Sequence, residues 1–182
     1  MVHAWSWHWI KDSKYDIREE IIMAVLVMMC GIPGSGKSTM AEQYATMNSL
    51  KVVSRDEIRL SLTGEDEDYF ANETAVFKQF VAKIVEHLKN GTDVVADATH
   101  LTVKSRQKLL NAVGKEVDLN TITKCVLYVN TDLNTSLQRN NLRAGTRAFV
   151  PVAAIRRMSN QFEVPQITED NIDVIMKGIA NA

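Results

Sequence analysis

Gly31-Ile32-Pro33-Gly34-Ser35-Gly36-Lys37-Ser38-Thr39 follows directly on the apolar run from Ile21 to Cys30. A glycine, four residues and then Gly-Lys-Ser is the spacing of a phosphate-cradling loop set between a strand and a helix. Glycines let the backbone turn so tightly that successive N–H groups face one concavity. The helix opening near Lys37 turns its positive end towards the same place. Lys37 adds a mobile cation for β- and γ-phosphates, and the Ser38 hydroxyl is a ligand for Mg²⁺. Gly31, Pro33, Gly34, Ser35, Gly36, Lys37, Ser38 and Thr39 are therefore expected to hold ATP or another nucleoside triphosphate.

Working outward, the chain alternates short apolar runs with amphipathic ones. The apolar run Ile21 to Cys30 suits a central parallel strand buried on both faces. Helix is expected from Lys37 to Met47, a strand from Leu50 to Ser54, and a helix opened by a Ser54–Glu57 capping box. Residues 64–68, Gly-Glu-Asp-Glu-Asp, are expected to be an acidic, solvated connection. Phe77, Phe80, Val81, Ile84, Val85 and Leu88 recur at three–four spacing in a helix from Asn72 to Asn90, closed by Gly91. His87, beside that stripe, is read as structural. A strand at Asp93–Asp97, a helix at Val103–Val113 and a strand at Ile122–Val129 follow. Thr131 or Asp132 caps a further helix, Pro151 opens another that runs to Phe162, and Ile172–Met176 is a last strand. Strand–helix alternation with short connections predicts an α/β fold, with a central parallel sheet of about five strands and helices on both faces.

The chain has 182 residues and a formal net charge of −1, which suits one domain and argues against a generally basic nucleic-acid coat. Its two cysteines, Cys30 and Cys125, each sit in an apolar run, without metal spacing or a disulfide framework. A reducing cytoplasm is expected, with no membrane span, because the longest apolar run is ten residues. Residues 1–20 carry Trp5, Trp7 and Trp9 and read as an extension outside the domain at 21–182, with no chemistry assigned.

In open α/β sheets ligands sit beyond the carboxyl ends of the strands, which is where Asp56 and Asp97 fall. A carboxylate at Asp97, ending Val94-Val95-Ala96, can hold Mg²⁺ opposite Ser38. Asp56, in a helix's first turn, is either a general base or simply a good helix-start residue, and spacing alone leaves both open. From Leu133 to Phe162 there are Arg139, Arg143, Arg147, Arg156 and Arg157 and no acidic residue. Arg139 and Arg143, four apart, fall on one helix face before Gly145 breaks it. Planar guanidinium forks suit phosphate oxygens, so 139–150 is expected to be an arginine-rich lid.

Taken together, these segments resemble the kinase domain of the polynucleotide 5′-hydroxyl kinases of the phage end-healing type, from Met23 to about Pro165. The matching motifs are Gly31 to Thr39; Ser54-Arg55-Asp56-Glu57-Ile58-Arg59; Asp97-Ala98-Thr99-His100; Arg139-Asn140 with Arg143; and Val150-Pro151 with Ile155-Arg156-Arg157-Met158 and Phe162-Glu163-x-Pro165. The resemblance implies a P-loop kinase that phosphorylates nucleic-acid 5′-hydroxyl ends, DNA or RNA. It implies Asp56 as the base, Arg59 as the contact to the substrate's 3′-phosphate, Thr99 and Arg156 on the acceptor side, and Arg139 and Arg143 as lid arginines gripping the donor phosphates. His100 stands where asparagine is usual, and Arg143-Ala144-Gly145 has one residue more than the usual Arg-Gly. With no Asp-x-Asp-Gly-Thr segment, a kinase without the 3′-phosphatase domain of some relatives is expected, in the cytoplasm of a host if phage-encoded. A kinase of a small hydroxyl substrate and a non-catalytic nucleotide-binding module are the alternatives, and a homo-oligomer is left open.

Overall fold

The computed structural model describes residues 24–64, 69–70 and 72–178; the extension at 1–20, the start of the first expected strand at 21–23 and residues 65–68 of the expected acidic loop lie outside them. Five strands are described, β1 (Ala24–Cys30), β2 (Lys51–Ser54), β3 (Val94–Asp97), β4 (Ile122–Val129) and β5 (Val174–Gly178). They form one sheet in the order β2-β3-β1-β4-β5, parallel at every pairing. β1 and β3 are buried along nearly their whole length because each is flanked on both sides and covered on both faces. That is why their sequences are continuously apolar rather than alternating.

The helices are α1 (Lys37–Asn48), α2 (Arg55–Leu62), α3 (Glu73–Lys89), α4 (Val103–Val113), α5 (Leu133–Asn141), α6 (Val152–Asn160) and the single turn α7 (Ile167–Asp170). On one face, Phe80, Ile84 and Leu88 of α3 and Leu109, Leu110 and Val113 of α4 pack on Leu26, Met28, Val94 and Val126. Met40, Ala41 and Ala45 of α1 pack on Val27, Met29, Val95 and Leu127 on the other. The period-two alternation of β1 thus feeds two cores, one per face. A third cluster of Ile32, Leu101 and Ile155, with Leu133, Leu137 and Met158 around it, ties α5 and α6 to the phosphate loop.

The boundaries differ from the sequence expectation in four places. Ser54 caps α2 through the Glu57 N–H, but the reciprocal capping box is formed at α4, by Thr102 and Ser105. α5 stops at Asn141, so Arg143 is not on its face; the chain tightens into three-residue turns there, with Arg143 N–H donating to Asn140 O and Ala144 N–H to Asn141 O. The last strand is Val174–Gly178, two residues later than expected, and α7 precedes it. Asp170 explains that shift: its carboxylate accepts from Gln166 N–H at 2.8 Å and pairs with Arg106, which fixes a turn too short to show periodicity.

Among the described residues Arg106 is the largest fully buried side chain. Its Nε donates to Asp170 at 2.8 Å, and its Nη1 donates to the His100 carbonyl at 3.0 Å and the Glu163 carbonyl at 3.2 Å. One guanidinium therefore joins α4, the segment after β3, the segment after α6, and α7.

Candidate active site

The loop between β1 and α1 has the geometry its glycines allow. Gly34 and Gly36 lie at φ 80° and 91°, in the left-handed region that disfavours side chains. A Cβ at Gly34 would also stand 2.2 Å from the Ser136 carbonyl oxygen, so the glycine is required by space as well as by conformation. Gly36 occupies the N-cap of α1 without a side-chain cap, which leaves the first N–H groups of the helix for an anion. The loop is braced from three directions. Gly31 N–H donates to the Thr99 carbonyl (3.0 Å), Thr131 Oγ1 donates to the Ser35 carbonyl (2.8 Å), and Arg139 Nη1 donates to that same carbonyl (3.3 Å). Lys37 is buried in the loop's embrace, whereas Ser38 and Thr39 are exposed at the helix start.

Asp97 ends β3 beside this loop, and its register partner across β2–β3 is Ser54. Asp56 is thus two residues beyond the position level with Asp97, at the same end of the sheet. Asp97 is buried, and its Oδ1 has no hydrogen-bond partner. An orphaned buried carboxylate oxygen at the end of β3 is the kind of oxygen donor that a hydrated divalent cation takes.

In the first turn of α2, Asp56 has a side chain 66% exposed and forms an ion pair with Arg59, itself 7% exposed. Arg59 Nε also donates to Glu73 (2.6 Å), and Arg55 Nη2 donates to the other oxygen of the same carboxylate (2.7 Å). The Arg59 guanidinium lies 4.9 Å from the Tyr69 ring centroid and 5.4 Å from that of Phe70. Burial works against the Arg59 charge, but the hydrogen bonds it donates to Glu73 and Tyr69 and the charges of Asp56 and Glu73 outweigh it and raise its pKa. Burial likewise disfavours ionised Glu73, yet its bonds to Arg59 and Arg55 hold it below the usual carboxylate range. Arg59 is therefore a fixed cation, oriented from both sides, with Asp56 held against it.

The arginine-rich segment expected to be a lid leaves the end of α5. Asn140, fully buried, donates through Nδ2 to the Val150 carbonyl (2.8 Å) and accepts from Val150 N–H (3.0 Å), so the two ends of the lid are stapled together. Arg147 donates to the carbonyls of Thr63 (3.4 Å) and Gly64 (3.1 Å), which rests the lid on the α2–α3 connection. Arg139 reaches the loop, whereas Arg143 is exposed in the turn after α5 and Arg156 is exposed on α6. Thr99 is half-buried and bonds the loop through its carbonyl.

His100 is resolved as a structural residue. It is buried at φ 36°, and its ring Nδ1 sits 2.9 Å from the Met29 carbonyl; a carbonyl only accepts, so Nδ1 carries the proton. Burial, with the charges of Arg55, Arg106 and Lys37, pushes its pKa down to about 4. Since an unfolded histidine titrates near ~6.5, the unfolded chain binds a proton between those values that the native chain does not. Stability therefore falls as pH drops from about 6.5 to about 4, by about 3 kcal/mol in all. His100→Asn, which tolerates positive φ, should flatten that slope. Urea midpoints at pH 7 and 4.5 measure it, and an unchanged slope would refute the assignment.

Glu73, Asn140, Arg106 and Asp170 were not legible as site-building residues. Glu73 opens a helix and reads as an ordinary first-turn acid. Only its placement across from α2 makes it the clamp of two arginines.

A parallel sheet with a phosphate loop after its first strand defines a P-loop phosphotransferase fold, built to bind a nucleotide. Residues 26–165 match the model of the AAA domain family, and the chain belongs to that family. Among solved structures it is similar to a chain of the Pnkp1/Rnl/Hen1 RNA repair complex, at 26% identity over 84% of this chain and a TM-score of 0.66. This chain spans 47% of that protein's length. It also shares its fold with Chaetomium thermophilum Kti12 in complex with ADP-AlF3 (18% identity, 85% of this chain and 88% of that one, TM-score 0.62). A gluconokinase from Sinorhizobium meliloti 1021 has the same fold (19% identity, 86% and 83%, TM-score 0.54). Among the described residues no helix is long and apolar enough to cross a membrane.

Proposed function

We propose that this chain transfers the γ-phosphate of ATP to the 5′-hydroxyl of a nucleic-acid end, DNA or RNA. The observation that carries this reading is the Asp56–Arg59–Glu73 constellation at the end of the sheet that holds the phosphate loop. A base for a hydroxyl proton and a fixed cation for an acceptor phosphate stand side by side. A small neutral acceptor has no use for a guanidinium so heavily anchored.

In this mechanism the loop amides and Lys37 hold the donor phosphates, and Arg139, with Arg143 on the lid, stabilises charge on the migrating phosphoryl group. Ser38 and Asp97 would hold Mg²⁺, which when bound neutralises charge on the β- and γ-oxygens. The acceptor oxygen forms its bond to the γ-phosphorus as the bond to the β,γ-bridging oxygen breaks. The hydroxyl proton passes to the Asp56 carboxylate, and the bridging oxygen leaves with ADP. Arg59 binds the 3′-phosphate of the acceptor nucleotide, with Thr99 and Arg156 at its margins. Positioning supplies most of the acceleration, because phosphoryl transfer asks little covalent chemistry of the protein.

The test is transfer of labelled γ-phosphate to a 5′-hydroxyl oligonucleotide, a 3′-mononucleotide, a bare nucleoside and a sugar acid, with Lys37→Ala as control. The expected result is labelling of the first two acceptors only, lost in the control. Labelling of the nucleoside or sugar acid alone would transfer the assignment to a small-molecule kinase. Binding of ATP without transfer would leave a nucleotide-binding module.

A further inference from the structure

The contacts around Glu73 do not end at Arg59. Its carboxylate holds Arg55 as well, and the Arg55 guanidinium lies 5.7 Å from the ring centroid of Phe77, one turn further along α3. The ammonium of Lys108, on α4, lies 4.4 Å from the same centroid. Phe77 is half-buried and Lys108 exposed, and among the described residues Lys108 makes no ion pair. The Nε of Arg55 is buried without a hydrogen-bond partner. Two cations thus lie 5.7 and 4.4 Å from the centre of one aromatic ring, and the carboxylate that holds one of them also holds Arg59. Cation–π attraction to a benzene ring offsets only part of their mutual repulsion. A phosphodiester paired with them would relieve it.

We infer that Arg55, Phe77 and Lys108 form a track, running from the acceptor end across α3 and α4, that binds the nucleotides following the first one of a single-stranded nucleic acid. This rests on the proposed function for its starting point and deepens it, because it assigns side chains to the part of the strand beyond the first nucleotide. The chemistry is that of a strand groove: cations track the backbone and an aromatic ring offers a face to a base. Phe77 lies four residues after Glu73, a rise of about 6 Å along α3, so the track begins directly beside the Arg59 clamp.

The test uses the full chain and a fluorescent single-stranded 5′-hydroxyl oligonucleotide, with Kd measured by anisotropy across a salt series. Lys108→Glu should weaken binding by about tenfold and lower the slope of log Kd against log salt by about one. Phe77→Leu should weaken binding several-fold without changing that slope. KM for a 3′-mononucleotide acceptor should be the same in Lys108→Glu as in the parent, since the first nucleotide does not reach α4. An unchanged Kd and slope in Lys108→Glu would overturn the track, as would equal losses for oligonucleotide and mononucleotide. A parent protein that transfers phosphate to no acceptor, yet binds the oligonucleotide with a Lys108-dependent slope, would refute the proposed function and leave the track standing.

Discussion

Asp56→Asn should lower kcat for phosphate transfer by about 10²–10⁴-fold, the contribution expected of a positioned general base, and leave ATP affinity within about twofold. Asparagine keeps an oxygen that can accept from Arg59, so the clamp formed with Glu73 remains and the loss isolates the missing base. Loss of kcat without loss of KM for the acceptor separates this from damage to the Arg59 site. Single-turnover transfer with labelled ATP measures the first quantity and equilibrium ATP binding the second. If Asp56→Asn retained more than about a third of the parent rate, the carboxylate would be a helix-start residue and nothing more. The large effect is expected because Asp56 is the exposed carboxylate of the constellation: Asp97 is buried beside the loop, and Glu73 is occupied by two arginines.

Asp170→Ala should destabilise the protein by about 3–5 kcal/mol, although it lies far along the chain from every motif that binds phosphate. Removing the carboxylate leaves the Arg106 charge fully buried with carbonyls as its remaining oxygen partners. It also removes the acceptor for Gln166 N–H that fixes α7. Urea denaturation should show the midpoint shift with an unchanged m-value. The double substitution Arg106→Met with Asp170→Asn should recover a substantial part of the loss, because an apolar side chain of similar length needs no counter-charge. If the double variant were as unstable as the sum of the singles, the pair would not be a coupled unit.

The Arg106 contacts bear on the site as well as on the core. Arg106 holds the His100 carbonyl, His100 holds the Met29 carbonyl at the end of β1, and the Thr99 carbonyl receives the Gly31 N–H. The back of the phosphate loop therefore rests on a buried polar chain with one full charge pair at its end. That arrangement gives a physical reason for a histidine in the Asp97-Ala98-Thr99-His100 segment: the ring donates from Nδ1 into the sheet while its backbone adopts positive φ. Its neutral state is required there, since two arginines and Lys37 all oppose a second cation.

Much was determined by the amino-acid sequence alone. The loop from Gly31 to Thr39, the alternation of apolar runs with three–four periodic helices, and the capping residues at Ser54 and Asp132 are local signals, set by backbone sterics and by period. They specify about five parallel strands, helices on both faces, and a glycine-rich loop leading from the first strand into a helix, and the structure has all of these. The tertiary structure decided what depends on pairing across the chain. Glu73 became the clamp of Arg55 and Arg59, Arg147 came to rest on the Thr63 and Gly64 carbonyls, and Asn140 closed the base of the lid against Val150. Arg106, a charged residue on an otherwise ordinary helix, was drawn into the core by Asp170 from 64 positions away. No periodicity records such pairings, because the energy of a buried charge is set by the partner that meets it rather than by its neighbours in sequence.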